Sequence, residues 1–107
     1  MNGVQLRFFT YEDHKHDGHL VYEWLLATAK RIGVSGGTAF RALAGFGRHG
    51  RMHEERFFEL AGSEPMLVEF IATAEQADRL LHEVERSQVN IFYARVAVEY
   101  GSTGTGK

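Results

Sequence analysis

The sequence has no cysteine, which excludes a disulfide scaffold and any thiolate zinc site and suits a reducing compartment. It also has no long apolar run. No window approaches the length of a membrane span, and the first residues lack the apolar h-region of a secretory leader. The expectation is a soluble cytoplasmic protein with no direct membrane insertion. A basic excess is missing too, since the formal net charge is -2, whereas nucleic-acid binders usually carry surplus cations that displace counterions from phosphates. This argues against a nucleic-acid partner and requires any anion site to be local. What is present, 107 residues of which 44% are hydrophobic, is enough for one domain with a single modest core.

Hydrophobic period changes along the chain in an informative order. VQLRFFTY (Val4 to Tyr11) alternates Val4, Leu6 and Phe8 against Gln5, Arg7 and Phe9, the period of a strand. After the polar turn EDHKHDG, the residues Val21, Trp24, Leu25, Thr28, Ala29 and Ile32 fall on one helical stripe. This predicts a first helix from His19 to Ile32, with Asp17 as N-cap and Gly33 just past its end. TAFRALAGF (Thr38 to Phe46) alternates again, and MLVEFIA (Met66 to Ala72) follows the only proline, Pro65. A capping box, Thr73 with Gln76, opens a second helix whose buried stripe is Ala77, Leu80, Leu81 and Val84. Asn90 to Tyr100 reads as the fourth strand. The order βαββαβ predicts an α+β, ferredoxin-like domain over residues 1–100, in which a four-stranded antiparallel sheet carries both helices on one face.

That architecture leaves the second sheet face uncovered. Adjacent residues of a strand point to opposite faces, so one of Phe8 and Phe9 must point away from the helices, as must one member each of the pairs Leu67/Val68 and Phe70/Ile71. Apolar side chains there predict that another subunit covers the face. A long loop folding back over the sheet is the alternative.

The connection between the second and third strands, AGFGRHGRMHEERFFELAGSE (Ala44 to Glu64), is longer than a hairpin needs, which suggests a functional loop, an extended hairpin arm or local disorder at 45–64. Gly45, Gly47 and Gly50 allow close approach of a ligand. Arg48 and Arg51 offer fork-shaped donors to an anion, with His49 and His53 beside them. Phosphate or nucleotide binding is one expectation, and a solvated mixed-charge loop with Glu54 and Glu55 is the other.

These residues also carry a resemblance. GFGRHG resembles the GFGRQKG signature at the base of the T-loop of PII signalling proteins, and GVSGGT before the second strand resembles the PII segment at the same place. LVYEWLL at 20–26, TAFRALAGFG at 38–47 and the step from Ser63 to Thr73 resemble, over nearly the whole chain, an uncharacterised PII-like domain-of-unknown-function family. The resemblance implies a homotrimer with inward-facing sheets. It further implies an adenine nucleotide in the cleft between subunits, near Gly47 and Arg48 with Thr38, and a loop at 45–64 read by a transporter, channel or enzyme partner. Two departures stand out. ERSQVN replaces the PII phosphate loop GDGK before the last strand, where only Arg95 can restore some charge, and the 44–64 stretch lacks the tyrosine of a uridylylation switch.

Three other readings are weaker. His14, His16 and His19, with Asp13 and Asp17 between them, offer metal-binding side chains at a spacing that matches no strong motif, so a metal-binding trimer is the alternative function. Catalysis is not expected: carboxylates 54, 55 and 59 near His53 supply no nucleophile with a spaced partner. GSTGTGK, 101–107, spells G-x-x-x-x-G-K, but no Ser or Thr and no helix follows the lysine here, and the stretch is read as a flexible tail.

Overall fold

The computed structural model describes residues 1–46 and 64–104. Its elements are β1 (Asn2–Tyr11), β2 (Lys15–His16), β3 (His19–Leu20), α1 (Val21–Ile32), β4 (Gly37–Arg41), β5 (Pro65–Ala72), α2 (Ala74–Arg86) and β6 (Phe92–Glu99). Four strands form one antiparallel sheet in the order β4-β5-β1-β6, and β2 with β3 forms a separate small hairpin. The expected two-helix, four-stranded α+β architecture is met.

β1 is at the centre of the fold, pairing with β5 from Val4 to Tyr11 and with β6 from Asn2 to Phe9. Its register sets Phe8 opposite Val68 on β5 and Tyr93 on β6, and Leu6 opposite Phe70 and Arg95. Val4, Leu6, Phe8 and Thr10 are buried, as are Met66, Val68, Phe70 and Ala72 of β5. Two-residue periodicity therefore puts all eight on the side that the helices cover. From the helices come Val21, Leu25 and Ala29 of α1 and Ala77, Leu80 and Val84 of α2. Phe8 meets Phe70 edge to face, with ring centroids 6.2 Å apart. Leu6, Phe8, Leu25 and Leu80 are fully buried, and truncating such a side chain to alanine costs about 2–5 kcal/mol.

The helix ends differ in how closely they follow the sequence. Thr73 caps α2 as expected: its hydroxyl accepts from the Gln76 N–H at 3.1 Å, while the Gln76 side-chain carbonyl accepts from the Thr73 N–H at 3.0 Å. Gly33 closes α1 with φ 111, donating to the Ala29 and Lys30 carbonyls. The N-terminus of α1 departs from expectation. Asp17 is not its cap but sits with Gly18 in the turn between β2 and β3, both at positive φ (53 and 80). That turn pairs His16 with His19, takes His19 and Leu20 into a strand, and delays the helix to Val21. The first helical N–H is satisfied by the backbone instead, Val21 donating to the His14 carbonyl at 2.9 Å.

β4 also ends earlier than the alternation to Phe46 implies, at Arg41. One further hydrogen bond, from the Ala42 N–H to the Pro65 carbonyl at 2.8 Å, closes the ladder. Beyond it Leu43 and Phe46 are 97% and 84% exposed, with little to pack against among the described residues. β6 begins at Phe92 rather than Asn90.

On the uncovered face, the register builds rows across the four strands. Phe40, Leu67, Phe9 and Phe92 form one, Thr38, Glu69, Arg7 and Ala94 the next, and Ile71, Gln5 and Val96 a third. Phe9, Phe40, Phe92 and Val96 are each more than two-fifths exposed. The apolar second face expected from Phe9, Leu67 and Ile71 is present.

The capping box gives a direct test of this local reading. Thr73→Ala is expected to lower unfolding stability by about 1 kcal/mol in urea melts, and an unchanged midpoint would mean that the box contributes nothing.

Candidate functional site

The glycine-arginine stretch leaves the sheet from a braced root. Arg41, the last residue of β4, forms a two-pronged pair with Glu12 at the end of β1, its Nε donating at 3.2 Å and an Nη at 2.5 Å. Glu12 N–H donates to the Glu64 carbonyl at 2.9 Å, which ties the chain entering β5 to the same spot. The Arg41 guanidinium holds the Glu12 carboxyl below its ordinary range, with a smaller contribution from hydrogen bonding to Glu64, while Glu12 in turn raises Arg41. Gly45 lies close to the Pro65 ring: a side-chain carbon added there would sit 3.4 Å from the proline Cγ. Both ends of the 42–64 connection are thus fixed to the same corner of the sheet.

Of the expected ligand-binding residues, Gly47, Arg48, His49 and Arg51 lie outside the described residues, as does His53. Thr38 sits exposed on β4, on the uncovered face opposite Glu69. Arg95 sits on β6, at the other edge of the sheet and on the helix-covered side, since its register partner is the buried Leu6. Three inter-strand spacings separate these edges, about 14 Å. Arg95 is also engaged already, donating to Asp78 at 2.7 Å and to the Ala74 carbonyl at 3.4 Å. Within one chain Thr38 and Arg95 therefore do not share a site.

The histidine turn is built differently from a metal cage. His14 Nδ1 is 2.8 Å from the hydroxyl of the buried Thr10, and its backbone N–H donates to Tyr11. His16 and His19 face each other across the hairpin, with His16 Nε2 3.4 Å from Asp17. Among the described residues no group of three or more His, Asp or Glu side chains converges as metal ligands. His14 instead braces the junction between β1 and α1. The Asp-Gly pair inside HKHDGH was the signal for this hairpin, being the usual two-residue hairpin turn.

An open cavity of about 380 Å³ lies on the helical side, lined by Arg31, Ile32, Asp78, Arg79, His82 and Glu83. It mixes both signs of charge and includes none of the expected ligand residues. The Glu12–Arg41 pair was not anticipated either, because its members are 29 residues apart and only strand pairing unites them.

The pair has a pH signature. A carboxyl whose folded pKa is depressed contributes stability that is present above its unfolded value, about 4.3 for glutamate, and is lost as pH falls through the folded value. Arg41→Gln should move the Glu12 titration, followed by carboxyl NMR, upward towards the ordinary range. An unmoved titration would show that Arg41 is not the cause.

Comparison with known proteins agrees with this geometry. Residues 3–98 match the DUF190 family, described as "Uncharacterized ACR, COG1993". A UPF0166 protein of Aquifex aeolicus is 40% identical over 80 residues, 75% of this chain and 76% of that one, and a UPF0166 protein of Methanocaldococcus jannaschii is 30% identical over 76 residues, 71% and 69%. Among solved structures, CPII of Thiomonas intermedia K12, a nitrogen regulatory PII-like protein, superposes with a TM-score of 0.65 in its complex with ADP, AMP and acetate, at 16% identity over 94% of this chain and 90% of that one. Its complex with ADP, AMP and bicarbonate gives 0.65 at 17% identity, covering 94% and 97%. At such identities the likeness is one of fold. The chain belongs to the DUF190 family and has a PII-like fold.

Proposed function

We propose that this protein is a cytoplasmic PII-like sensor, not an enzyme, that binds a small anionic ligand between copies of itself and reports it through the 45–64 loop. The ligand is an adenine nucleotide, held chiefly by Gly47 and Arg48, with Gly45, His49, Arg51 and Thr38 beside them and Arg95 adding cationic charge. The assembly is a homotrimer formed through the uncovered sheet face, and the loop is read by a partner protein, a transporter, channel or enzyme. Residues 1–100 are the working domain and 101–107 its tail.

The observation that carries the reading is the braced root of the loop. Arg41, Glu12 and the Ala42–Pro65 hydrogen bond hold the strand end from which GFGRHG departs. A glycine-arginine stretch leaving a fixed root can present backbone N–H groups and a guanidinium to a phosphate without first losing the freedom of a long chain. Its neighbour is the apolar face, exposed among the described residues, which a second copy would bury. The separation of Thr38 and Arg95 on opposite sheet edges supports the same view, since only residues of different copies can then contribute together. CPII binds ADP and AMP, which makes this ligand class the first to try. Coupling requires that the ligand favour one loop state over another.

Isothermal titration calorimetry against AMP, ADP, ATP and cyclic AMP, with bicarbonate as a separate titrant, tests the proposal. Micromolar binding near one site per subunit is expected for one of the nucleotides. Arg48→Ala should weaken it about tenfold to a hundredfold, the loss of a charge-assisted hydrogen bond to phosphate. Unchanged affinity in that variant would remove Arg48 from the site, and no heat at several temperatures would remove nucleotide binding altogether.

A further inference from the structure

The uncovered face carries one polar feature at its centre. Fifteen side-chain positions of the four strands point to it by register, and only two are charged: Arg7 on β1 and Glu69 on β5, which are direct cross-strand partners. Around them lie Phe9, Phe40, Leu67 and Phe92 on one side and Ile71, Val96 and Val98 on the other. Within the chain this pair is poorly made. Arg7 Nη2 is 3.9 Å from Glu69 Oε1, too far for a hydrogen bond. The other Glu69 oxygen is taken by Gln5, whose side-chain N–H donates to it at 2.5 Å. Arg7 Nε is shut off from solvent and has no acceptor among the described residues, although the side chain as a whole is 40% exposed.

An arginine has five donors in a rigid fork, and an occluded N–H without an acceptor is unfavourable. Such an arginine in the middle of an apolar surface marks a contact left incomplete in the single chain. The face itself indicates what completes it. With one cation and one anion it is electrically neutral, so around a closed ring of copies each arginine can meet the carboxylate of the next copy and each carboxylate the arginine of the one before. A partner of strong charge of either sign would leave one of the two unpaired.

We propose that Arg7 and Glu69 pair across the interface between copies of this chain and act as its register lock, the Arg7 guanidinium reorienting to the Glu69 carboxylate of the next copy while the surrounding phenylalanines and aliphatic residues are buried. This rests on the trimer reading above and adds to it the residues that set how copies meet. Apolar contact drives the association but tolerates sliding. The single buried ion pair favours one register and one number of copies, as isolated polar groups do in helical assemblies.

Sedimentation velocity on the full chain, with circular dichroism to confirm folding, tests it. The wild type is expected to run as one discrete oligomer. Arg7→Glu, which sets two carboxylates on each face, should remain folded and lose association on the order of a hundredfold or more. The exchange Arg7→Glu with Glu69→Arg should restore the wild-type species. Should Arg7→Glu fail to fold, Arg7→Met keeps the face apolar and should give a mixture of oligomeric species in place of one. A wild-type oligomer with either variant unchanged in mass and association would overturn the lock and leave the trimer standing. A monomeric wild type would overturn both.

Discussion

The structure depends on one constraint: two helices can cover only one side of a four-stranded sheet. β1 runs down the middle, and its alternation sends Val4, Leu6, Phe8 and Thr10 into the core and Gln5, Arg7 and Phe9 to the other side. Because a strand cannot choose its faces residue by residue, the quality of the core on one side fixes what stands on the other. The core is well filled, from the Phe8–Phe70 contact to Leu25 and Leu80. The opposite face keeps Phe9, Phe40 and Phe92 exposed among the described residues, an apolar patch of the kind that marks a contact surface. The proposed assembly, its register and the proposed site are all ways of covering them.

The same constraint separates two of the described ligand candidates, Thr38 and Arg95, in the single chain. The edge strands β4 and β6 carry Thr38 and Arg95 on opposite faces, and Arg95 spends its charge on Asp78 of α2. On the reading proposed above, the site draws on the edges of two neighbouring copies. The Glu12–Arg41 pair ties the end of β4 to the end of β1 at the loop root, which on the proposed reading lowers the cost of ordering the loop on binding.

Much of this was legible in the sequence where local chemistry decides the outcome. The period of VQLRFFTY gave the faces of β1 residue by residue, and Thr73 with Gln76 gave the start of α2, because a capping box involves only neighbours in sequence. Gly33 was readable for the same reason. Where distant partners decide, the pattern misled. TAFRALAGF continues its alternation past Arg41, but β5 stops offering partners there and the strand ends. Asp17 has the side chain of an N-cap, yet its sequence neighbour Gly18 makes a better hairpin turn, and the His14 carbonyl takes over at the helix start. The pairing of Arg95 with Asp78 on α2 was likewise not visible, because only the packing of helix on sheet brings the two together. The family was legible from the resemblance of LVYEWLL, TAFRALAGFG and the step from Ser63 to Thr73 to an uncharacterised PII-like family, which is the one the chain belongs to.

The central claim is that ligand and assembly share one place, the junction between copies. Sedimentation equilibrium of the wild-type chain over a range of protein concentrations, with and without saturating ADP, tests it most directly. A ligand bound between subunits must tighten their association by mass action, by a factor that grows with its concentration above the dissociation constant. The account predicts that ADP lowers the dissociation constant of the oligomer. An oligomer that binds ADP and yet dissociates identically with and without it would contradict the account, because the nucleotide would then lie within a single chain.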